Sequence, residues 1–325
     1  MKFSRVFSFC LISLQVGLWA HPPAGILTDE KGHLFVVTFA YNSVLKCDAE
    51  GGVATFFSDA SGELLARPHH LFRDSQGNLM TAGDSGQSLI RIGSNGLASK
   101  MPLKGSAAST SIGHGGDPFA IDVEGNIYCV NHEEAKWPSQ ILKITPAGEV
   151  RVFAGARTEG FVDGTGEKAR FGNLHCATMA FGRDGKMYVT DHLCRVRKIA
   201  SDGSVTTLAG GAEPGFANGA GLSARFRSAW GLALAADGTV YVAELEGHRI
   251  RKITAQGVVT TLAGTGQRGY ADGPGARAMF EEPGGVAVGP GGEVFVMESI
   301  AEVPRIRKIA RDGFVTTVVK PRPLK

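Results

Sequence analysis

Three acidic residues end short apolar segments, where carboxylates could bind a cation or a polar ligand. Asp191 ends MYVTD, Glu244 ends VYVAE and Glu298 ends VFVME. Carboxylate oxygens are preferred ligands of hard divalent cations. The same carboxylates can instead accept hydrogen bonds from backbone amides or from a nearby arginine, such as Arg195 or Arg249. The sequence leaves both roles open and favours the structural one.

Histidines from distant parts of the chain form a second candidate site. His69 and His70 lie together in the segment RPHHL, and His114 and His175 follow later. Three histidines with one open coordination position are a ligand set of catalytic zinc. The zinc hypothesis therefore uses His70, His114 and His175, whereas unligated histidines at a polar rim are the simpler interpretation.

Two cysteines lie beside one of these histidines. Cys176 follows His175, and Cys194 follows Asp191 and His192 after a short interval. A disulfide between Cys176 and Cys194 needs a Cα separation below about 7 Å, and an oxidising compartment would permit it. Thiols, paired or unpaired, are favoured here over a mixed cysteine and histidine zinc site.

These residues belong to a unit that repeats six times along the chain. Turn glycines recur every 45 to 60 residues, at Gly32, Gly77, Gly125, Gly185, Gly238 and Gly292. A strand rich in β-branched and aromatic residues follows each glycine, and a basic-apolar strand and a fourth strand come next. Four antiparallel strands per unit predict an all-β fold, a six-bladed β-propeller.

A motif between units recurs three times, as GFVDGTGEKARF, GFANGAGLSARF and GYADGPGARAMF, from Gly160, Gly215 and Gly269. The Asp-Gly and Asn-Gly pairs favour turns, and the last phenylalanine is expected to fill a gap between blades. Asp163, Asn218 and Asp272 could suggest a calcium loop, but the ligand alternation of an EF-hand is absent.

Propeller geometry places the ends of second strands and the starts of first strands on one face. Long connections between blades lie there too, so the channel mouth is the expected binding site. The candidate ligand-binding residues on this face are His69, His70, Asp117, His175, Asp191, Trp230, Glu244 and Glu298. Trp230 is expected to anchor a ligand, with Asp117 and His69 beside it.

Segments such as VYVAELEGHRIRKI and the GxxDGxGxxAxF connections resemble the NHL repeat. The likeness covers nearly the whole chain after the first twenty residues and is strongest from Gly155 onward. It implies a six-bladed propeller. The family contains scaffolding, protein-binding and RNA-binding members, and similar propellers include lyases and lactonases, so the fold leaves the function open.

Residues 1–20 have the pattern of a signal peptide, with Lys2 and Arg5 before an apolar segment and Ala20 at the expected cleavage point. Residues 21–325 then form one propeller domain, expected in a periplasm or outside the cell. No segment approaches the roughly 20 apolar residues of a membrane span. The net charge of +3 in 325 residues gives no reason to expect a nucleic-acid partner.

The favoured hypothesis is an exported, non-enzymatic module that binds a protein, peptide or glycan through its loop-rich face, without a cofactor. The alternative is a metal-dependent enzyme of the channel. Asp191, Glu244 and Glu298 would hold calcium or another metal in a lactonase of the gluconolactonase type. The three histidines would hold zinc in an enzyme similar to the amidating lyases.

Overall fold

The structure is a computed structural model that describes residues 25–38, 42–65, 68–74, 76–83, 88–109, 118–131, 140–174, 177–191, 194–298 and 300–323. The strands in these residues form six antiparallel sheets, which confirms the prediction of a six-bladed β-propeller. Short 3-10 turns lie at Gly105–Ser109, Gly166–Lys168 and Gly221–Ser223. The described part of the chain contains no helix that could cross a membrane. Residues 1–20, the predicted signal peptide, lie outside it.

Blades 1–3 have four strands each, ordered in the sheet as they are in the chain. Blade 1 contains β1 (Ile26–Thr28), β2 (Leu34–Thr38), β3 (Ser43–Cys47) and β4 (Val53–Ser58). Blade 2 contains β5 (Phe72–Arg73), β6 (Leu79–Ala82), β7 (Ser88–Ile92) and β8 (Ala98–Pro102). Blade 3 contains β9 (Phe119–Ile121), β10 (Ile127–Asn131), β11 (Gln140–Ile144) and β12 (Val150–Ala154).

Blades 4–6 have a fifth, two-residue strand that the sequence did not reveal. Blade 4 contains β13 (Gly164–Thr165), β14 (Met179–Phe181), β15 (Met187–Asp191), β16 (Arg195–Ile199) and β17 (Ser204–Ala209). Blade 5 contains β18 (Gly219–Ala220), β19 (Ala229–Leu234), β20 (Val240–Glu244), β21 (Arg249–Ile253) and β22 (Val258–Ala263). Blade 6 contains β23 (Gly273–Pro274), β24 (Pro283–Val288), β25 (Val294–Glu298), β26 (Arg305–Ile309) and β27 (Phe314–Val319). In each of these blades the extra strand pairs with the last one.

The repeated turns fix where the first strand of each blade ends and the second begins. In blade 2, Asp74 Oδ1 accepts hydrogen bonds from the amides of Gln76 and Asn78, both at 2.9 Å. Gly77 has a φ of 82°, a left-handed conformation that glycine adopts without steric cost. The second strands lie in the interior, where neighbouring blades cover their apolar side chains on both faces.

The core consists of six clusters of buried apolar side chains in the described residues, one at each seam between blades. Phe171, Phe226 and Phe280 are fully buried at the seams of blades 4–6, which confirms the predicted plugs. The seam between blades 6 and 1 closes by packing, and Thr28 Oγ1 donates a hydrogen bond of 2.8 Å to the carbonyl of Val288. No described strand is exchanged across it.

Candidate functional site

The loop face is the face that carries the ends of the second strands and the long connections between blades. In blades 4–6 these connections begin at residues 155, 210 and 264, form the extra edge strand, and then run to the first strand. Each connection folds back on itself through an antiparallel bridge, Val162 to Arg170 in blade 4 and Ala217 to Arg225 in blade 5. The loop face therefore presents ordered backbone in this half of the ring.

The three acids at the ends of the second strands are buried ion-pair partners with no exposed surface. Their oxygens lie 2.5, 3.0 and 3.5 Å from arginine Nη1 atoms, in the pairs Asp191–Arg197, Glu244–Arg251 and Glu298–Arg307. The second oxygen of each acid accepts a backbone amide, from Gly172, Arg227 and Glu281 respectively. These carboxylates thus have the structural role that the sequence favoured, and none of them faces the channel solvent.

The paired arginines differ from Arg195 and Arg249, the examples of a nearby arginine named from the sequence. Arg195 and Arg249 lie directly opposite Asp191 and Glu244 in the strand register. In blades 4 and 5 the close ion pair instead goes to the arginine two residues further along the strand. In blade 6 both Arg305 and Arg307 approach Glu298, at 3.4 and 3.5 Å.

Each of these second arginines also holds the connection that precedes its blade, and we term this arrangement the arginine clamp. In blade 5, Arg251 Nη1 donates to the carbonyl of Arg225 at 3.1 Å. Its Nη2 donates to the carbonyl of Ala217 and to Asn218 Oδ1, both at 2.9 Å. One guanidinium therefore joins the second strand to both sides of the bridged connection, as Arg197 and Arg307 also do.

The acid of the connection ties the clamp to the last strand of the blade. Asp163 Oδ1 accepts bonds from Arg197 Nη2 and Thr207 Oγ1, both at 2.9 Å, and its Oδ2 accepts the Thr207 amide at 3.0 Å. Asp272 makes the same set of bonds with Arg307 and Thr317. Hydrogen-bond donors thus occupy the oxygens that a calcium loop would direct at a cation.

The pKa differs between the inner acids of the clamp, which end the second strands, and the outer acid Asp163, which lies in the connection. Burial raises the pKa of Asp191, and the Arg197 guanidinium opposes this increase. Burial likewise raises the pKa of Glu244 and Glu298. Burial also acts on Asp163, but the hydrogen bonds from Thr207 and the Arg197 charge outweigh it and hold its pKa below the usual value. The outer acid is therefore the more stably ionised member in blade 4.

Exposed aromatic rings cover the first arginine of the same strands. Phe161, Phe216 and Tyr270 are 37%, 50% and 50% exposed on the loop face. Their ring centroids lie 3.6, 3.9 and 4.2 Å from the guanidinium carbons of Arg195, Arg249 and Arg305 respectively. These distances are those of close cation–π stacks. We term the three ring–guanidinium pairs the aromatic row.

The remaining described candidates lie elsewhere on this side of the ring. Trp230 is buried at the start of the first strand of blade 5, where its carbonyl accepts a 3.2 Å bond from Thr190 Oγ1. His70 is buried with its ring 6.4 Å from that of Phe72, and His69 is half-buried beside it at 6.5 Å. Trp230 therefore presents little ring surface to a ligand.

Four predicted residues, Asp117, His114, His175 and Cys176, lie outside the described residues, so the zinc site stays a prediction. In the described part of the chain, no three His, Cys, Asp or Glu side chains are grouped as metal ligands would be. Cys194 is buried, and burial raises the pKa of its thiol to about 11. Its predicted disulfide with Cys176 also stays a prediction.

The residues that organise the loop face could be recognised only in part from the sequence. The alternating arginines suggest a solvated or inter-blade face paired with loop carboxylates, and Arg197 with Asp163 and Arg307 with Asp272 form such pairs. These arginines are fully buried rather than solvated, and the aromatic residue of the connections was not singled out. Both signals were present, because every RxRK strand has a second arginine and every GxxDG or GxxNG motif has phenylalanine or tyrosine at its second position.

Together, the sheets and the repeated clamps define a six-bladed β-propeller assembled from internal repeats. A sequence profile of the NHL repeat matches residues 226–253, at the first strands of blade 5. The chain is therefore a six-bladed β-propeller that contains an NHL repeat, which confirms the resemblance seen in the sequence.

One relative and two solved structures illustrate how widely this fold is used. The chain is 28% identical over 165 residues to the protein SUPPRESSOR OF QUENCHING 1, chloroplastic, of Arabidopsis thaliana, a match covering 47% of the chain but only 16% of that protein. An auxiliary nutrient binding protein from Bacteroides thetaiotaomicron is 15% identical, with a TM-score of 0.64 over 91% of this chain and 69% of that one. A gluconolactonase from Xanthomonas campestris is 12% identical, with a TM-score of 0.55 over 90% and 83%. The similarity to the two solved structures shows a shared fold, and identities this low leave the function open.

Proposed function

We propose that this protein is an exported binding module whose loop face recognises a protein or peptide segment. The observation that carries the proposal is the aromatic row, in which three exposed rings recur at one position of three successive blades. Aromatic side chains and arginine are the residue types enriched at protein interfaces and at their energetic hot spots.

The rings are well suited to binding because they are held in place before a ligand arrives. Each ring lies on a guanidinium, and the carbonyl of the next residue accepts a hydrogen bond from the arginine clamp. Binding to a preorganised side chain loses less conformational entropy than binding to a mobile one. The arginine clamp thus positions the rings without itself contacting the ligand.

Two further observations support the proposal. The pattern of residues 1–20 favours export, where a binding module would meet its partner outside the cytoplasm. A propeller of similar fold is described as a nutrient binding protein. Removal of residues 1–20 on export can be checked by mass determination of the secreted chain.

The proposal is tested by selecting a random peptide library on the immobilised protein and measuring the affinity of the selected peptides. The triple change Phe161→Ala, Phe216→Ala and Tyr270→Ala is expected to weaken binding at least tenfold, since each ring is a candidate hot spot. The matched control removes three exposed apolar side chains from the opposite face, by Leu97→Ala, Val258→Ala and Phe314→Ala. It is expected to bind as the unchanged protein does.

Equal losses in the two triple variants would contradict a peptide site on the loop face. Selection of no peptide, together with glycan-array binding that the loop-face triple abolishes, would assign the same surface to a glycan instead.

A further inference from the structure

The seam between blades 1 and 2 is built differently from the other five. The last residue of each first strand covers the seam, and it is uncharged at Thr28, Ile121, Phe181, Leu234 and Val288. Phe181, for example, packs edge-on against Tyr128 of the previous blade at 5.1 Å. Blade 2 has Arg73 at this position, with its guanidinium 5.8 Å from the ring centroid of Phe35.

A cavity of about 360 Å³ lies at this seam. It is on the face opposite the loop face, between the turn after β1 and the turns of blade 2 at Gly77 and Gly93. Its apolar lining comes from Phe35, Phe56, Leu79 and Ile92, with the rings of Phe35 and Phe56 edge-to-face at 5.1 Å. Such a volume is within the range of pockets for small organic ligands.

Three cations surround this apolar floor: Lys31, Lys46 and Arg73. None of them forms an ion pair with a carboxylate among the described residues, whereas Arg91 and Lys143, at the strand position of Lys46 in blades 2 and 3, do. Lys46 Nζ lies 5.7 Å from the centroid of Phe35, on the same ring that Arg73 approaches. Two cations therefore converge on one aromatic side chain at the edge of the cavity.

The two acids at the cavity, Asp29 and Glu30, leave the three cations in excess by one charge. Asp29 Oδ2 lies 2.7 Å from His33 Nδ1, and its Oδ1 accepts the amides of Lys31 and His33 at 2.9 and 2.8 Å. The Asp29 carboxylate is thus committed to its own turn. Glu30 is exposed at the rim, where water solvates it.

We propose that this seam cavity binds a small organic anion, a carboxylate carried on a flat apolar body. The body would lie against the aromatic floor, and the carboxylate would accept hydrogen bonds from Lys46 and Arg73. Charge-assisted hydrogen bonds of this kind are about twice as strong as neutral ones. This site is separate from the loop face and does not depend on the function proposed for it.

The test uses isothermal titration of the protein with three probes: benzoate, benzamide and acetate. Benzoate has both the ring and the charge, benzamide has only the ring, and acetate has only the charge. Benzoate is expected to bind at least tenfold more tightly than either control. Binding should weaken as salt rises, because the cations are partly exposed and screened. No benzoate binding, or equal binding of benzamide or acetate, would overturn the proposal.

Variants locate the binding. Arg73→Leu introduces the residue found at Leu234 in the equivalent position, and it is expected to reduce benzoate affinity about tenfold or more, because the guanidinium that would bind the carboxylate is lost. Lys46→Gln is expected to have a similar effect of about tenfold, since one charge-assisted hydrogen bond is lost. Lys198→Gln is the matched control, because Lys198 has the same strand position in blade 4 but does not line the cavity.

Glu30→Gln removes the exposed acid of the rim and is expected to tighten benzoate binding about twofold. The melting temperature of each variant is recorded first, and Lys46→Gln alone tests the site if Arg73→Leu does not fold. An equal loss of affinity in Lys198→Gln and Lys46→Gln would place the bound benzoate outside the seam and overturn the proposal.

Discussion

Blades 1–3 and blades 4–6 differ at the third residue of their third strands. The first three blades have an apolar residue there, at Leu45, Ile90 and Leu142. The last three have the clamp arginine, at Arg197, Arg251 and Arg307. The residue at the end of the second strand changes with it, from Thr38, Asn131 and Gly83, which directly follows β6, to the buried acids Asp191, Glu244 and Glu298.

The extra edge strand follows the same division, since it is found in the three blades that have the clamp. A buried ion pair adds little stability compared with apolar packing of the same volume, because both charges lose their hydration. Its advantage in this protein is positional, because the guanidinium fixes the connection through directed hydrogen bonds. In blades 1–3 the third strand contributes only apolar packing at this position. In blades 4–6 its arginine also holds the connections of the loop face in place.

The largest effect is expected when the clamp arginine is replaced by the residue of blade 1. Arg197→Leu leaves the Asp191 carboxylate buried without its partner, and this should reduce the free energy of unfolding by about 3–5 kcal/mol. Chemical denaturation measures the change. The double variant Asp191→Thr with Arg197→Leu installs both residues of blade 1 and should recover part of the loss. A loss below about 1 kcal/mol in the single variant would remove the distinction between the two halves.

A smaller effect is expected for the outer acid, where blade 5 provides a natural comparison. Asp163 has a lowered pKa in the folded protein, so its contribution to stability is present above its unfolded value, near 3.8, and is lost as the pH falls through the folded value. Asn218 occupies the same position in blade 5 and cannot titrate.

Asp163→Asn should therefore cost about 1 kcal/mol at pH 7, because the Thr207 amide loses its acceptor while Asp163 is itself half-exposed. The difference from the unchanged protein should shrink as the pH falls below about 4. Thermal unfolding across that range measures it. A difference that stays constant with pH would show that the Asp163 charge has no part in the clamp.

The smallest effect on stability is expected in the aromatic row. Phe216→Ala removes a ring stacked on Arg249 at 3.9 Å, and exposed cation–π contacts contribute about 0.5–1 kcal/mol. The melting temperature should fall by only a few degrees, whereas the affinity for the selected peptides should be strongly reduced. A loss of stability as large as that of Arg197→Leu would instead make the ring part of the clamp.

The fold could be predicted from the sequence because the repeated turns and strands point to one architecture at every level. The fifth strand could not be predicted, since two residues such as Gly164–Thr165 contain no period and an Asp-Gly pair also favours a turn. The strand becomes visible only when the connection pairs with β17.

The site was predicted in part. The sequence placed the acids correctly at the ends of second strands and favoured a structural role with backbone amides or a nearby arginine as donors, and both donors are found. In blades 4 and 5 the paired arginine is not the one named as an example. Arg195 lies directly opposite Asp191 in the strand register, and a sequence repeat can indicate such a register. The Arg195 guanidinium lies on Phe161, whereas Arg197 reaches diagonally to Asp191. Which of two arginines on one strand pairs with the acid depends on the other contacts of each side chain, and residue spacing does not reveal these contacts.

Hydrogen–deuterium exchange of the unchanged protein and of Arg197→Leu, under conditions in which both are folded, tests the central claim most directly. The amides of Val162 and Arg170 are bonded across the bridge that Arg197 holds in blade 4. We expect exchange over residues 160–172 to rise at least tenfold in the variant, while the equivalent residues 215–227 of blade 5 keep their protection. Unchanged protection of residues 160–172 in the variant would contradict the claim that the arginine clamp fixes the loop face.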